Sequence, residues 1–556
     1  MTLSDLADRH WATRCEFSPT IATVYGVHDF DDRLRRFDDE WLGDMERRFS
    51  DIADSARALD TEGLTTQERI TRELLIYEAS TFAEEIRTKY LVAPIDPFIG
   101  PHTRILGDSR QNTVADREQA DMLLRRYERI PEYLDGALGY HRQNVARGMT
   151  PARAPVERVL AQLDAYVDSP LDSDPFLVLK VPGDGADWRD KAERLVTEVI
   201  RPAVAAYADG IRAHVLPHAR GDDRCGLVWM EGGEEIYAAL LRKYTQLDIT
   251  PQQIHDTGQE WATEINAAEW VEIGSDAFGA TTKDEVFARL HGDPDLKFRS
   301  EVEMLEHGRA AVARAWDAVD DWFGARPDTP CDVVPVPPAQ APAMPPAYYL
   351  MPPMDRSRPG TYFLNTYRPE ERDRFEYESI HFHEAVPGHH FDRSLAAELE
   401  GIPTFRRYAQ VYAHTEGWGL YSERLADEMG LYSSAVDRLG MVSADAWRAG
   451  RLVTDTGMHA LGWSRQQAIE FLEEWTPIGR LTIEQEVDRY IGMAGQAVAY
   501  KIGQLEIMRL RRHAEAELGD RFDIKGFHDQ MLVNGAMPLP LLSTAVEEWI
   551  AESRQA

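Results

Sequence analysis

Apolar residues recur at three- and four-residue spacing through most of this chain, which is the pattern of helices with one buried face. Asp or Thr stands near several of the predicted starts, and Pro251 suits a first helical turn. We therefore predict a mainly α fold. The predicted helices cover residues 65–90, 115–147, 187–218, 250–273, 300–322, 405–429 and 483–518.

Segment 326–360 departs from this pattern because proline recurs throughout it. Such tracts are often disordered linkers, but β-prone apolar runs around Val333, Tyr348 and Tyr362 favour an ordered seam of short strands. The best strand candidate is 361–367. As an exposed edge it could hold an extended peptide by strand addition, or it could belong to a small sheet with no ligand role.

The chain length bears on domain organisation. At 556 residues the chain exceeds the size at which one hydrophobic core usually stops growing. We predict two lobes around a cleft, with a small β-sheet near the active site. The predicted division is a helical lobe at residues 1–325 and a metal-site lobe at residues 326–556, with its strands within 326–367. One continuous domain is the alternative.

The formal net charge of −34 makes nucleic acid and anionic membranes unexpected partners, although a local basic patch could still bind a carboxylate. The chain has no run of about 18 apolar residues and no signal-type start. Its three scattered cysteines suit free thiols in a reducing compartment. We expect a cytoplasmic protein in which histidine and carboxylate hold any bound metal.

Segment 381–390 contains a His-Glu pair of the kind that zinc hydrolases use. In the helical H-E-x-x-H signature, two imidazoles four residues apart bind the metal and the glutamate activates its water. Here Pro387 is fourth after His383, and on a straight helix His389 would lie about 9 Å along the axis and about 240° around it. His390 would lie about 10.5 Å along the axis. A helix break at the Pro-Gly step would fold His389 back toward the same metal.

Histidine clustering favours a metal site over a surface helix end with fortuitous histidines. Five of the 17 histidines fall within 34 residues, at positions 381, 383, 389, 390 and 414. A zinc hydrolase commonly uses three protein ligands and keeps one position for water, so we expect one Zn²⁺ per chain.

The third ligand should come from segment 408–423, which contains His414, Glu416 and Glu423. The two glutamates are seven residues apart, about 10.5 Å along a helix, so only one can touch the metal. Glycines near Glu416 suit close approach of a backbone or a metal centre, which favours it as the ligand. Glu423 then orients an imidazole through its other nitrogen, or is an ordinary exposed charge.

The remaining candidates serve the reaction itself. Glu384 cannot easily share a metal with its neighbour in sequence, and its predicted role is general base toward the water and proton donor to the leaving amine. Tyr500 could donate to the oxyanion, while Arg489 or Lys501 could pair with a substrate carboxylate. Tyrosine and arginine on a helix are more commonly packing and surface residues.

The H-E-x-x-P-G-H sequence at 383–389 resembles the hallmark of a bacterial family, domain of unknown function 885. By similarity that family is grouped with zinc metallopeptidases of the thimet oligopeptidase and gluzincin type. The resemblance implies a mostly helical metallopeptidase-like fold with an internal cleft, and favours His389 over His390 as a ligand. Ala494 departs from it, since family members often have proline there, which loosens the expected pose of Tyr500. Further similar segments lie at 18–29, 237–245, 249–254, 359–366, 415–423 and 495–503.

Three further residues complete the candidate site. Asn365, within the family-like segment 359–366, His390 and His414 are candidates to support the ligands or bind substrate. The leading functional hypothesis is a zinc peptidase that cleaves short peptides, of oligopeptidase or carboxypeptidase type. Alternatives are a metal-dependent hydrolase of a non-peptide amide metabolite, and a non-catalytic binding protein on the same fold.

Overall fold

α-Helices make up most of the protein, and the computed structural model describes residues 1–183, 185–338, 341, 344–352 and 359–555. Among the described helices, none combines the length and apolar character that a bilayer crossing requires. The helices before the sheet are α1 Leu3–Phe17, α2 Pro19–Val24, α3 Asp39–Arg57, α4 Thr66–Thr88, α5 Pro101–Ser109, α6 Arg117–Glu128, α7 Ile130–Ala146, α8 Arg153–Val167, α9 Ala186–Leu195, α10 Arg201–His214, α11 Gly233–Thr245, α12 Pro251–Glu260, α13 Asn266–Phe278, α14 Lys283–Gly292 and α15 Glu301–Trp322. The elements that follow are β1 Cys331–Pro335, β2 Ala347–Leu350, β3 Gly360–Leu364, α16 Tyr377–Glu384, α17 His389–Glu398, α18 Thr404–Arg407, α19 Tyr412–Glu428, α20 Ala435–His459, α21 Arg465–Trp475, α22 Arg480–Gly492, α23 Ala499–Leu518, α24 Ile524–Leu532 and α25 Leu539–Gln555.

Side-chain caps fix several of the helix starts. Before α4, Thr65 Oγ1 accepts the Glu68 N–H while the Glu68 carboxylate accepts the Thr65 N–H. Thr250 and Gln253 form the same capping box before α12, with Pro251 in the first turn. These caps satisfy backbone N–H groups that have no partner within the helix. The predicted mainly α fold is confirmed.

Several predicted helices are interrupted. The helix predicted at 115–147 is divided between α6 and α7, and the one predicted at 405–429 between α18 and α19. The helix predicted at 483–518 is divided between α22 and α23, where Gly495 adopts φ +80°. Left-handed backbone at this glycine ends the regular helical path. The apolar periodicity continues across these breaks because the helix on each side buries one face of its own.

The small sheet has the strand order β1-β3-β2. β1 pairs parallel with β3, and β2 pairs antiparallel with it, with Tyr348 opposite Phe363 and their rings stacked at 4.8 Å. The best strand candidate is therefore the central strand, and the prediction that it offers a free edge to a peptide is wrong, because both of its sides are already paired. Parts of the predicted strand seam, at 339–340, 342–343 and 353–358, lie outside the described residues.

Buried hydrophobic residues form several clusters. The largest draws side chains from both sides of residue 325, among them Leu240, Trp418 and Leu542. A second cluster lies wholly within residues 17–215. The lobe boundary at residue 325 stays a prediction.

Candidate metal centre

The helix break predicted at the Pro-Gly step is present. α16 ends at Glu384 and α17 begins at His389. The intervening turn is held by Trp418, whose indole N–H donates to the Pro387 carbonyl at 2.8 Å. Gly388 has φ −82°, and a Cβ there would overlap carbonyl oxygens at the end of α16. Space, more than unusual backbone freedom, therefore requires glycine at this position.

Three potential ligands converge at this turn. His383, His389 and Glu416 each present a ligand atom within 4.8 Å of the other two. Glu416 Oε2 lies 3.4 Å from His389 Nε2 and 3.8 Å from His383 Nε2. The two imidazole rings are nearly perpendicular, with their centroids 4.6 Å apart.

These distances fit a zinc ion. Ligand atoms about 2.1 Å from a tetrahedral Zn²⁺ are about 3.4 Å from one another. The two Glu416 contacts, at 3.4 and 3.8 Å, match that spacing closely. Two imidazole nitrogens and one carboxylate are also a donor set that zinc hydrolases use, with a fourth position open to water.

A second carboxylate orients one of the imidazoles. Glu423 Oε1 lies 2.7 Å from His383 Nδ1, and its other oxygen accepts a hydrogen bond from the Ser379 hydroxyl. Glu423 is fully buried, so it is not the exposed charge that the sequence left open. With Nδ1 donating to Glu423, the Nε2 lone pair of His383 faces Glu416 and the ligand position.

The electrostatics of the pocket favour a cation. Burial alone would lower the pKa of His383, but hydrogen bonds to Glu416 and Glu423 outweigh it and raise the pKa to about 9. Burial likewise opposes ionisation of Glu416, yet the two imidazoles hold the pKa of that carboxyl well below its usual range. The pocket therefore attracts positive charge, and a metal cation can take the place of the proton.

Glycines allow the ligand helices to approach. A Cβ at Gly419 would lie 2.7 Å from Cε1 of the His383 ring, and one at Gly417 would lie 2.5 Å from the Gly503 backbone. α19, which carries Glu416, thus packs tightly against both α16 and α23. β3 holds α16 from another side, through a 2.7 Å hydrogen bond between Tyr362 Oη and a ring nitrogen of His381.

The two proposed reaction groups lie beside the cluster. Glu384 is half-buried at the end of α16, and its charge helps to raise the pKa of His383. Tyr500, in the first turn of α23, stacks on His383 with ring centroids 6.5 Å apart and planes 24° apart. Its hydroxyl accepts a 3.4 Å hydrogen bond from the Gln496 amide.

Three histidine and amide candidates contribute to packing instead of the metal cluster. His390 has one ring nitrogen 3.0 Å from Tyr349 Oη and the other 3.1 Å from the Thr329 carbonyl, and the role of His390 in supporting the ligands or binding substrate stays a prediction. His414 is fully buried, and burial lowers its pKa. Asn365 is also fully buried, and its amide N–H groups donate to the carbonyls of Ala341, Met344 and Pro345. Neither side chain is exposed to solvent.

The two basic candidates, Lys501 and Arg489, have different contacts in the structure. Lys501 is fully buried, and its ammonium donates to both Asp445 oxygens at 2.7 and 2.8 Å and to Gln504. The prediction that Lys501 pairs with a substrate carboxylate is wrong, because its charge is already compensated out of reach of solvent. Arg489 donates to Glu486 and, at 2.7 Å, to the Gln496 carbonyl oxygen. It thereby positions the amide that contacts Tyr500.

Sequence reasoning missed other residues of this region. Ser379 anchors the orienting carboxylate, and Arg448 and Arg451 of α20 lie against Tyr500. None of them falls in a short motif with the ligands. Arg448 follows Glu423 by 25 residues, which is outside any motif spacing, so only the fold brings these arginines to Tyr500.

Comparison with known proteins gives a family and a fold. A family model described as a bacterial protein of unknown function, DUF885, matches residues 19–546. No curated protein matches the chain. A crystal structure of a candidate lipoprotein from Colwellia psychrerythraea superposes with a TM-score of 0.90 at 23% identity, covering 99% of both chains. A candidate lipoprotein of unknown function from Shewanella oneidensis gives a TM-score of 0.74 at 19% identity, covering 98% of this chain and 99% of the other.

Proposed function

The chain belongs to the bacterial family of unknown function DUF885, and we propose that it is a zinc-dependent hydrolase that cleaves short peptides. The observation that carries this proposal is the convergence of His383, His389 and Glu416, whose ligand atoms lie within 4.8 Å of one another. The hydrogen bond from His383 to Glu423 adds the orientation that zinc-binding histidines usually have.

Each nearby group has a part in the proposed reaction. A zinc ion bound by these ligands would supply a Lewis acid and an activated water. The Glu384 carboxylate accepts a proton from the attacking water and then returns it to the leaving nitrogen. The Tyr500 hydroxyl donates to the oxygen on which negative charge develops. Gln496, held by Arg489, keeps that hydroxyl in place.

The proposal includes a likeness to thimet oligopeptidase and gluzincin-type zinc peptidases. Its support is chemical: a His-Glu pair at the end of one helix, a second histidine, and a glutamate ligand from a later helix. The proposed ligands are of the same residue types as in those enzymes. Where H-E-x-x-H lies on a continuous helix, this chain has the cis Val386–Pro387 bond and the glycine that follows it.

Metal content is the first test. We expect about one zinc per chain in protein purified without chelator, and loss of hydrolysis after chelation with recovery on adding zinc. Absence of stoichiometric metal in such protein would contradict the proposal. Glu384→Gln should keep the metal and lose about 10²–10⁴-fold in turnover, since it removes the general base but no ligand.

Substrate class is the second test. Mass spectrometry of digests of peptides from two to ten residues should find cleaved products. If metal is bound but no peptide is cleaved, a hydrolase of non-peptide amides becomes the better assignment. If the Glu384→Gln variant retains the biological role of the protein, a non-catalytic binding function becomes the better assignment.

Location in the cytoplasm is part of the proposal. Its support is that Cys15, Cys225 and Cys331 are free thiols, which suit a reducing compartment. The two similar crystal structures are named as candidate lipoproteins. Cell fractionation followed by detection of the chain with an antibody distinguishes a cytoplasmic from a membrane or periplasmic location. Recovery in a membrane or periplasmic fraction would contradict the proposal.

A further inference from the structure

Three arginines surround the Tyr500 side chain. The Arg451 guanidinium carbon lies 4.7 Å from the centroid of the Tyr500 ring, and that of Arg448 lies 6.0 Å from it. Arg489 reaches the Tyr500 hydroxyl through Gln496. Tyr500 in turn stacks on the ring of a metal-ligand candidate. The positive charges are therefore neighbours of the proposed reaction centre.

The cluster is short of negative partners. Glu486 accepts hydrogen bonds from Arg451 at 3.0 Å and from Arg489 at 2.9 Å, so one carboxylate serves two guanidinium groups. Arg448 donates to the Ala444 carbonyl, and among the described residues no carboxylate forms an ion pair with it. Among the described residues, Glu486 is thus the one ion-pair partner of the three arginines, in a chain whose formal net charge is −34.

Arg451 has a donor to spare. Its side chain is buried, with 4% of the residue exposed. Nε donates to Tyr490 Oη at 2.9 Å and Nη2 donates to Glu486, but Nη1 is buried without a hydrogen-bond partner among the described residues. A buried guanidinium N–H without an acceptor is costly, so such groups usually have a ligand or water.

We propose that Arg451, with Arg448 beside it, binds the C-terminal carboxylate of a short peptide substrate, which deepens the proposed function and rests on it. Guanidinium groups pair with carboxylates through charge-assisted hydrogen bonds, and Nη1 has no other acceptor among the described residues. Arg451 replaces Arg489 or Lys501 as the predicted partner of a substrate carboxylate, since the Lys501 ammonium donates to both oxygens of Asp445.

The distance between Arg451 and the metal ligands limits how many residues lie between the scissile bond and the C-terminus. Arg451 and His383 are 4.7 and 6.5 Å from the Tyr500 ring centroid, and an extended residue spans about 3.5 Å. The guanidinium carbon of Arg451 and the His383 ring centroid are therefore at most about 11 Å apart, which is the length of about three extended residues. The enzyme should therefore release short fragments from the C-terminus and leave internal bonds of long peptides uncut.

The first experiment needs no variant of the arginine. Binding of acetyl-tetraalanine with a free carboxylate, and of its C-terminal amide, is measured by calorimetry on zinc-loaded Glu384→Gln protein, which cannot turn the peptide over. Loss of one charge-assisted interaction should weaken binding of the amide about 10- to 100-fold. Equal binding of acid and amide, or binding of neither, overturns the proposal.

The second experiment assigns the effect to its residue. In the same Glu384→Gln background, Arg451→Lys should reduce the preference for acid over amide, because one ammonium cannot replace the fork of donors. Arg480→Lys, on the exposed surface of α22, is the matched control and should leave the preference unchanged. A thermal melt of each variant checks that it is folded, and an unchanged preference in folded Arg451→Lys contradicts the assignment.

These outcomes remain separate from those of the proposed function. Zinc content and peptide turnover are measured on the wild-type protein and report on the hydrolase. The acid-to-amide preference is measured without turnover and reports on the arginines. A protein that fails to cleave peptides but still prefers the acid would refute the peptidase and retain the carboxylate site.

Discussion

Glu423→Gln tests whether the buried carboxylate works through the metal ligand that it contacts. Glu423 Oε1 is 2.7 Å from His383 Nδ1, and its other oxygen accepts from the Ser379 hydroxyl. The glutamine keeps the volume and one oxygen acceptor but removes the charge, and its amide nitrogen cannot accept a hydrogen bond. Because the Ser379 hydroxyl can accept as well as donate, the glutamine amide can still contact it, and the lost negative charge is the main perturbation.

The magnitude follows from the role of such partners. Replacing a group that orients a ligating histidine typically costs about 10- to 100-fold in metal affinity, which is about 1.4–2.7 kcal/mol. Loss of the negative charge adds to this, because the carboxylate also stabilises positive charge at His383. We expect a loss near the upper end of that range.

The assay is competition for zinc between the protein and a chromophoric chelator at fixed pH. The control is Glu428→Gln on the same helix, where the glutamate is exposed and paired with Arg511. We expect the control to bind zinc like the wild type. Wild-type zinc affinity in folded Glu423→Gln would refute the reasoning, because the contact would then be structural and uncoupled from the ligand position.

Three other predictions follow from single contacts. Gly419→Ala places a methyl group 2.7 Å from the His383 ring, so it should lower zinc content in folded protein, measured by elemental analysis; full zinc content would contradict this. Lys501→Met removes the ammonium from buried Asp445, which keeps its ion pair with Arg424, and should lower the free energy of unfolding by about 1–3 kcal/mol in a urea titration; an unchanged midpoint would contradict it. Burial raises the pKa of Asp455 from 3.8 to about 7, so its contribution to stability is complete below about pH 4 and is lost as pH rises through 7. Asp455→Asn should therefore flatten the change in unfolding free energy between pH 5 and pH 8, and an unaltered slope would count against this assignment.

Helical periodicity predicted most of the fold because each long helix buries one face. It could not predict the breaks, since those depend on single backbone positions. The left-handed Gly495 interrupts 483–518 without disturbing the apolar pattern on either side. The sheet order was also beyond the pattern of residues, because a β-prone run looks alike at an edge and at the centre. Pairing of β3 on both sides is a tertiary fact.

The candidate site divides in the same way. The ligands could be predicted from local chemistry, since the Pro387-Gly388 step signals a turn between His383 and His389. The sequence could not predict which charged residues face solvent, because the burial of a residue depends on the helices that pack against it. Lys501 looked available for a substrate until its position against Asp445 was known.

The contrast between the negative net charge of the chain and the buried Arg451 determines which anionic peptides we expect to bind. The formal net charge of −34 repels polyanions at long range, and that repulsion is screened by salt over about 8 Å at physiological ionic strength. Arg451, in contrast, is 4% exposed and is screened much less. A peptide whose main negative charge is its C-terminal carboxylate is repelled only weakly by the protein surface and still forms the buried contact with Arg451. An acidic peptide is repelled along its whole length. Raising salt should therefore narrow the difference in binding between neutral and acidic peptides while leaving the preference for acid over amide nearly constant.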